Sequence, residues 1–570
     1  MEIDTAYSLP KDSTIPPTET QINKSTSEPS INHKANLGDK PEDTFQEQST
    51  VKVSLVLLAV LTSMFLVALD RTIITTAIPA MTDEFDSFPD IGWYGSSYLL
   101  TCAAFQLLFG KLYTLFDIKS VFMLSILLFE LGSAVCGSAR TSSAFIVGRA
   151  ISGVGAAGIF AGSVVSIVYA VPLHKRPKIQ GLFGAIFGLS SVAGPLIGGA
   201  FTSNVSWRWC FYINLPFGAL AMAIIPFCLK IPSRDTTRLP WMKKLAQFDG
   251  LGCLCFMSGV VCLVLALQWG GVSYMWNDAR IIVLLTLMSV LLVAFVVVQI
   301  SMPTTALVPP RIIKQRSVFT GFLATIFIGA ATYIEVFFLP IWFQAIKGSD
   351  AIGSGIRLLP LMLSMVVSSI AGGLTIQKVG YYTPFAIVGS SIMSLGAGLL
   401  TTLHVDSSNG HWIGYQILFG FGLGLCLQAP NLAAQTSLPT KDVPIGVALV
   451  FFGQLLGGAI AVPVGQNILD NQLIEKLSGI AGFDSSLITS GGAVALISSL
   501  PSDVRAMVLE AYNNSLRSVF VIGAVVSCLS VVSVAGLEFR STLKPKPQHV
   551  TEKGPAVPEP NTLEKNASNR

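Results

Sequence analysis

Five charged residues interrupt long apolar stretches of the sequence: Asp70, Arg71, Glu130, Arg149 and Glu335. A charge in hydrocarbon costs on the order of 3 kcal/mol or more, so such a group normally faces a cavity or a partner. An acid held there can take up and release protons. Burial disfavours its charged form, and a nearby cation favours it. Asp70 fits that chemistry best; a fixed pair with Arg71 or Arg149 is the alternative that leaves it untitrated. Glu335 lies in Tyr333-Ile334-Glu335-Val336-Phe337-Phe338 and fits contact with a cationic molecule or carriage of a proton. Glu130 reads as a packing or interfacial residue. Gln106, Gln344, Gln428 and Gln454 are polar points in other apolar stretches, suited to lining a cavity or to joining helices. With 34 phenylalanines in the chain, they fit a roomy, weakly polar pocket better matched to amphiphilic organic molecules than to sugars.

The elements that carry these residues follow from composition. Hydrophobic residues make up 52% of the 570, charged residues only 12%, and the mean hydropathy is +0.65. An ordinary soluble protein carries about 25% charged residues. Stretches this apolar need lipid as their solvent. The spacing predicts fourteen membrane-spanning helices, over 53–75, 94–114, 121–139, 145–169, 179–201, 210–229, 250–268, 280–300, 319–340, 356–377, 384–403, 413–433, 445–467 and 516–538. Lipid cannot satisfy exposed backbone N–H and C=O groups, so each span must be helical. The short alternating segments of a β-barrel are absent.

The polar flanks 1–50 and 541–570 read as disordered cytoplasmic tails. Lys and Arg concentrate in alternate connections: Lys111 and Lys119, then Lys175, Arg176 and Lys178, then a cluster from Lys230 to Lys244, then Arg311, Lys314 and Arg316. The opposite connections begin with an acidic set, Asp83, Glu84, Asp86 and Asp90. This bias predicts both termini on the cytoplasmic side. One outer loop, 470–515, is long and holds an amphipathic stretch from Asp503 to Tyr512 that reads as an interfacial helix. Asn204 and Asn513 head sequons on the outer side and are glycosylation candidates.

Some motifs exclude functions. Gly153, Gly155 and Gly158 spell a Gly-x-Gly-x-x-Gly string, but inside an apolar helix and without an acid about 20 residues on, which is no dinucleotide site. His-Glu-x-x-His, Gly-x-Ser-x-Gly and Walker loops are absent from the sequence. The nine cysteines fall mostly in apolar stretches and form no zinc-type set with the five scattered histidines. No enzyme activity, cofactor, metal or nucleic-acid partner is expected.

The densest pattern is Gly184, Gly188, Gly194, Pro195, Gly198 and Gly199. In a membrane such residues permit close helix contact and a proline kink. Gly194-Pro195 with Gly198-Gly199 resembles the antiporter motif of the major facilitator superfamily. Leu69-Asp70-Arg71-Thr72-Ile73-Ile74, Trp207-Arg208-Trp209 and Leu267-Gln268-Trp269-Gly270-Gly271 are similar to motifs of its fourteen-span drug:proton antiporter branch. Gly110 to Lys119 aligns with the superfamily's gating-loop motif, although Thr114 and Asp117 stand where that motif has Asp and Gly.

The resemblance implies an all-α integral membrane fold with two six-helix bundles and two extra central helices. It divides the chain into 51–230, 231–318 and 319–540 between the tails. It also implies proton coupling through Asp70 and Arg149, and a loop acting through Gly110, Asp117 and Lys119. The expected activity is export of small, largely apolar molecules, such as drugs, toxins or secondary metabolites, in exchange for protons. A siderophore or vacuolar basic amino acid carrier is the alternative, and a membrane sensor without transport is a remote one. The expected setting is the plasma membrane, or else the vacuolar membrane, with the protein acting as a monomer on a small-molecule substrate and protons.

Overall fold

The computed structural model describes residues 49–87, 90–231, 234–271, 274–478 and 502–543. The tails expected at 1–50 and 541–570 lie outside these residues but for their inner ends. Fourteen helices are long and apolar enough to cross a membrane. They are α1 Thr50–Phe85, α2 Ile91–Leu115, α3 Ile118–Ser138, α4 Ser142–Ala170, α5 Leu173–Asn204, α6 Trp209–Cys228 and α7 Gly250–Trp269. Then come α8 Ala279–Ser301, α9 Arg316–Ala345, α10 Ile352–Val379, α11 Thr383–Leu400, α12 Asn409–Ser437, α13 Val443–Leu477 and α14 Arg505–Ala535. Every expected span falls on one of them. No β-strand occurs among the described residues.

The helices sort into two groups and a side pair. In the first group α3 and α2 pack on α4, and α1 packs on α5 and α6. In the second, α9 packs on α13 and α14, while α12 packs on α10 and α11. Helices α7 and α8 pack on each other, and α7 also touches α2 and α13. Only 6% of the apolar window of α8 is buried, so this helix presents nearly all its surface outward. Small residues make the close approaches possible. Gly153 lies against Tyr98 and Thr101 of α2, and Gly155 and Gly158 lie against Phe129 and Ser125 of α3. The string that superficially matched a nucleotide site is thus a packing face.

The two groups meet through α5 against α10 and through α2 and α4 against α13. Gly181 lies on Gly373 and receives a 2.9 Å hydrogen bond on its carbonyl from the Ser369 hydroxyl. Gly110 lies on Ala448, Pro444 and Ile445. These contacts use the end of the bundle where α5 and α13 begin and α2 ends. This is the end rich in Lys and Arg, called the basic end below.

The expected outer loop 470–515 is corrected. α13 stays helical to Leu477, and α14 is already helical at Arg505, with 479–501 outside the described residues. Leu469, Leu473 and Leu477 are buried, as are Val508, Tyr512 and Leu516. Both sets repeat every four residues, so each helix carries one apolar stripe that the pair of helices covers. The stretch read as an interfacial helix is therefore the start of α14, with its apolar face turned into protein. Asn513 sits in that helix, 2% exposed. Its Oδ1 accepts from Trp342 Nε1 at 2.8 Å, and its Nδ2 donates to the Leu403 carbonyl at 3.1 Å. Its amide is held inside the protein and is not open to a glycan. Asn204, the other sequon, is exposed near the end of α5.

Asn513→Ala is expected to lower stability by about 1–3 kcal/mol, because it strands the Trp342 indole and the Leu403 carbonyl. Asn204→Ala should leave stability unchanged. Unfolding of the detergent-purified protein checks both, and equal effects would overturn the assignment of Asn513 to the interior.

Candidate functional site

Asp70 and Arg149 form a buried ion pair. Asp70, in the middle of α1, is 0% exposed and Arg149, in α4, is 1% exposed. Arg149 Nη1 donates to Asp70 Oδ2 at 2.5 Å. Arg149 Nε donates to the Tyr94 carbonyl of α2 at 3.0 Å, and its guanidinium stands 4.5 Å from the Tyr98 ring centre. The pair therefore ties α1, α2 and α4 together inside the bundle. Each ion loses its water on burial, and only a partner and good geometry offset that cost. Asp70 Oδ1 has no hydrogen-bond partner among the described residues. Of the two fixed pairings the sequence offered for Asp70, the one with Arg149 is present. The alternative pairing with Arg71 does not occur.

Arg71 follows Asp70 in sequence and is turned about 100° from it round the helix. That rotation points it away from α4's arginine and towards the other group of helices. Its Nη1 donates to the Tyr333 hydroxyl of α9 at 3.3 Å, and its Nη2 meets Cys102 Sγ at 3.6 Å. The guanidinium lies 4.7 Å from the Phe160 ring centre and 5.6 Å from that of Tyr98. Arg71 and Tyr333 are both half-buried. Sequence reasoning had flagged Arg71 as a buried charge but missed its place at the seam between the groups. Tyr98 and Phe160 were missed altogether and Tyr333 was named only as a neighbour of Glu335, since an aromatic in an apolar helix gives no signal of its own.

The other candidates do not gather at one place. Glu335 is 0% exposed and points at Gly523 of α14. Glu130 is 6% exposed and lies against Gly218 of α6. Gln106 is fully buried in α2 with neither amide atom bonded among the described residues. Gln344 donates to Ser354 Oγ at 3.1 Å, across the turn between α9 and α10. Gln428 accepts from Asn431, three residues along. Gln454 is half-buried, and its backbone carries the approach of α13 to Gly329 of α9.

The glycine motif of α5 divides its contacts. Gly188 faces Val366 and Met362 of α10, across the seam. Gly194 and Gly198 face Thr72, Ile73 and Thr76 of α1, within the first group. The Thr72 hydroxyl donates to the Ser190 carbonyl at 2.9 Å. Pro195 lies inside the helix, and Gly199 faces open space. So one helix touches the partner group with its first half and the ion-pair helix with its second.

At the basic end, Asp117 caps α3, accepting from the backbone N–H of Ser120 at 3.0 Å. Lys119 donates to the Pro226 carbonyl at 2.7 Å. Neither residue reaches the second group. The link there uses Lys111 and Arg311, which the sequence offered only as part of its charge bias, with Asp249 and Asp442. Lys111, 5% exposed, donates to the carbonyls of Thr305 and Ala306, both at 2.9 Å. Asp249 accepts from Gln299 at 2.6 Å and from the Leu307 N–H at 3.0 Å. Arg311 pairs with Asp442 at the start of α13, with its Nη2 2.8 Å from Oδ1. The connection 302–315 is thereby stitched to α2, α7, α8 and α13.

At the other end, Glu84 accepts from both terminal nitrogens of Arg208, at 2.9 and 2.8 Å, and from Trp207 Nε1 at 2.7 Å. This gives the Trp207-Arg208-Trp209 segment its role: it closes the end of α1 against the turn between α5 and α6.

Fourteen apolar helices in two groups and a side pair, with a buried ion pair in the first group and a half-buried cation at the seam, are the build of a membrane transporter. The profile of the Major Facilitator Superfamily matches residues 60–462, and the chain belongs to that superfamily. It is 57% identical over 508 residues to an MFS-type transporter of Claviceps purpurea, covering 89% of this chain and 88% of that one. It is 46% identical over 510 residues to an MFS-type efflux pump of Trichophyton rubrum, covering 89% and 95%. Among solved structures, the proton:xylose symporter XylE shares the fold, with a TM-score of 0.54 at 12% identity over 85% of this chain and 95% of that one.

The pair can be weighed by a double-mutant cycle. Asp70→Ala or Arg149→Met alone should each destabilise by about 3–5 kcal/mol, because each strands a buried charge. The double variant should cost clearly less than the sum, as unfolding in detergent would show. Additive costs would mean the two charges do not hold each other.

Proposed function

We propose that this protein exports small, largely apolar organic molecules, of the drug, toxin or secondary-metabolite kind, in exchange for protons by alternating access. The observation that carries the reading is the fully buried Asp70–Arg149 pair, with one carboxylate oxygen unbonded among the described residues. A proton arriving on that oxygen removes the negative charge that holds Arg149. The bond to Arg149 loses its charge assistance, and the contacts among α1, α2 and α4 can re-pack. The glycine-lined seam of α5 on α10 gives the two groups a surface on which to rock. The similarity to an MFS-type efflux pump supports the export direction.

In this reading the basic end faces the cytoplasm, with both termini there, and the protein works as a monomer in the plasma membrane. Contacts across the seam at the basic end, of Gly181 on Gly373 and of Gly110 on Ala448, hold the two groups together on that side. Asn204 remains the acceptor for a glycan on the outer side. Uptake of a cationic nutrient fits less well, because Glu335, the acid such a cargo would need, points at Gly523 and away from the seam.

Cells producing the protein should accumulate less of a fluorescent lipophilic compound than cells without it. An uncoupler, or Asp70→Asn, should raise accumulation to the level of cells lacking the protein. Export by Asp70→Asn equal to wild type would refute the proton role of Asp70. Export untouched by the uncoupler would refute exchange for protons.

A further inference from the structure

The charges buried among the helices are not all answered. Arg149 is answered by Asp70, but Arg71 has no carboxylate in ion-pair contact among the described residues. Its partners are a phenol, a thiol and two aromatic faces. None of these carries a full negative charge in its ordinary state. Arg71 Nε is buried and has no acceptor among the described residues. Of the buried acids without an ion-pair partner, Asp249 is taken up by Gln299 and the Leu307 N–H, and Glu130 and Glu335 point at Gly218 and Gly523 on other helices. An unanswered guanidinium in so dry a place is costly and marks a site that awaits an anion.

The surroundings say what kind of anion. Arg71 lies at the seam and is half-buried, with Tyr333 of the second group as one of its partners. Thr75, one turn along α1 on the same face, is exposed. Tyr333 accepts from Arg71, which leaves its own O–H proton to donate to a second group. Guanidinium and hydroxyl together make a two-donor clamp, bordered by the rings of Phe160 and Tyr98. Arg is suited to holding carboxylate-like oxygens with two parallel bonds and to stacking on rings.

We infer that the cargo of the proposed export is an organic acid with a flat aromatic body, and that Arg71, assisted by Tyr333, is its specificity-determining residue. The inference takes its cargo from the export reading but is tested by binding, which needs no transport. The probes are 9,10-anthraquinone-2-carboxylate and its methyl ester, which differ in charge and little in shape. Binding to the detergent-purified full-length protein is followed by quenching of its tryptophan and tyrosine fluorescence at neutral pH.

The wild type should bind the carboxylate about tenfold to a hundredfold more tightly than the ester, the range expected for charge-assisted hydrogen bonds. Arg71→Gln should lose that preference and still bind the ester within about twofold, which also shows that the variant is folded. Arg71→Lys should keep part of the preference. A wild type that does not prefer the carboxylate, or an Arg71→Gln protein that still does, overturns the inference, as does failure to bind either probe. Proton-gradient-driven flux of the carboxylate in proteoliposomes is scored separately. A carboxylate preference that disappears with Arg71→Gln, without such flux, refutes the export reading and leaves the anion site standing.

Discussion

In a dry interior every full charge has to be answered, and the Asp70–Arg149 pair is where this chain meets that demand. Neither ion is affordable alone at this depth, so α1 and α4 must be set at one rotation and one height. The packing around them fixes both. Gly153, Gly155 and Gly158 let α4 lie against α2 and α3, and Gly194 and Gly198 let α5 lie against α1. The Tyr94 carbonyl takes the third direction of the guanidinium. The small residues of the first group are thus the means by which one ion pair becomes possible. A bulkier side chain at any of these contacts would push apart the helices that bring the charges together.

The second group is held to the first by a different device. The basic end lies in a polar border, where charged groups bond to loop carbonyls and to one another. Lys111, Asp249, Arg311 and Asp442 stitch the connection 302–315 to helices from the first group, the second and the side pair. Helices α7 and α8 are therefore more than added apolar surface: their ends carry part of this stitch. On the far side, Trp276 donates to Asn467 of α13 at 3.1 Å, so the pair also touches the second group there. A rocking motion has to break or carry these bonds at the basic end, which makes the stitch a natural latch on the state seen here.

The spans were legible because hydrophobicity reports solvent directly, and all fourteen lie where the apolar runs lie. Legibility stopped where the solvent argument stops. Beyond Asn467 the chain turns polar, and a span ends by composition. The helix continues because Leu469, Leu473 and Leu477 find a partner stripe in Val508, Tyr512 and Leu516. That pairing depends on a second helix distant in sequence. The site was half legible for a similar reason. A buried acid or arginine announces itself by its cost, so Asp70 and Arg149 stood out. Which way each side chain turns depends on helix rotation, so the four glutamines scattered and Arg71 was not placed at the seam. The loop motif misled most: Thr114 and Asp117 depart from the usual pattern, and the link from the first group runs instead from Lys111 to the connection 302–315, which Arg311 ties to Asp442, 131 positions away.

The adjacency of Asp70 and Arg71 also sets the sign of their coupling. A proton on Asp70 leaves Arg149 unanswered and adds positive charge beside Tyr98, the ring that both guanidiniums border. An anion at Arg71 is then held more tightly, not less. Direct repulsion between proton and acidic cargo therefore cannot enforce exchange. In the proposed exchange, enforcement would fall to the packing at the seam of α5 on α10. Once enforced, the exchange gains from charge. One anion outward for one proton inward moves two charges in the favourable sense, and each is worth about 2.3 kcal/mol per 100 mV of inside-negative potential. A cation at the seam thus fits an exporter that draws on the membrane potential as well as on the proton gradient.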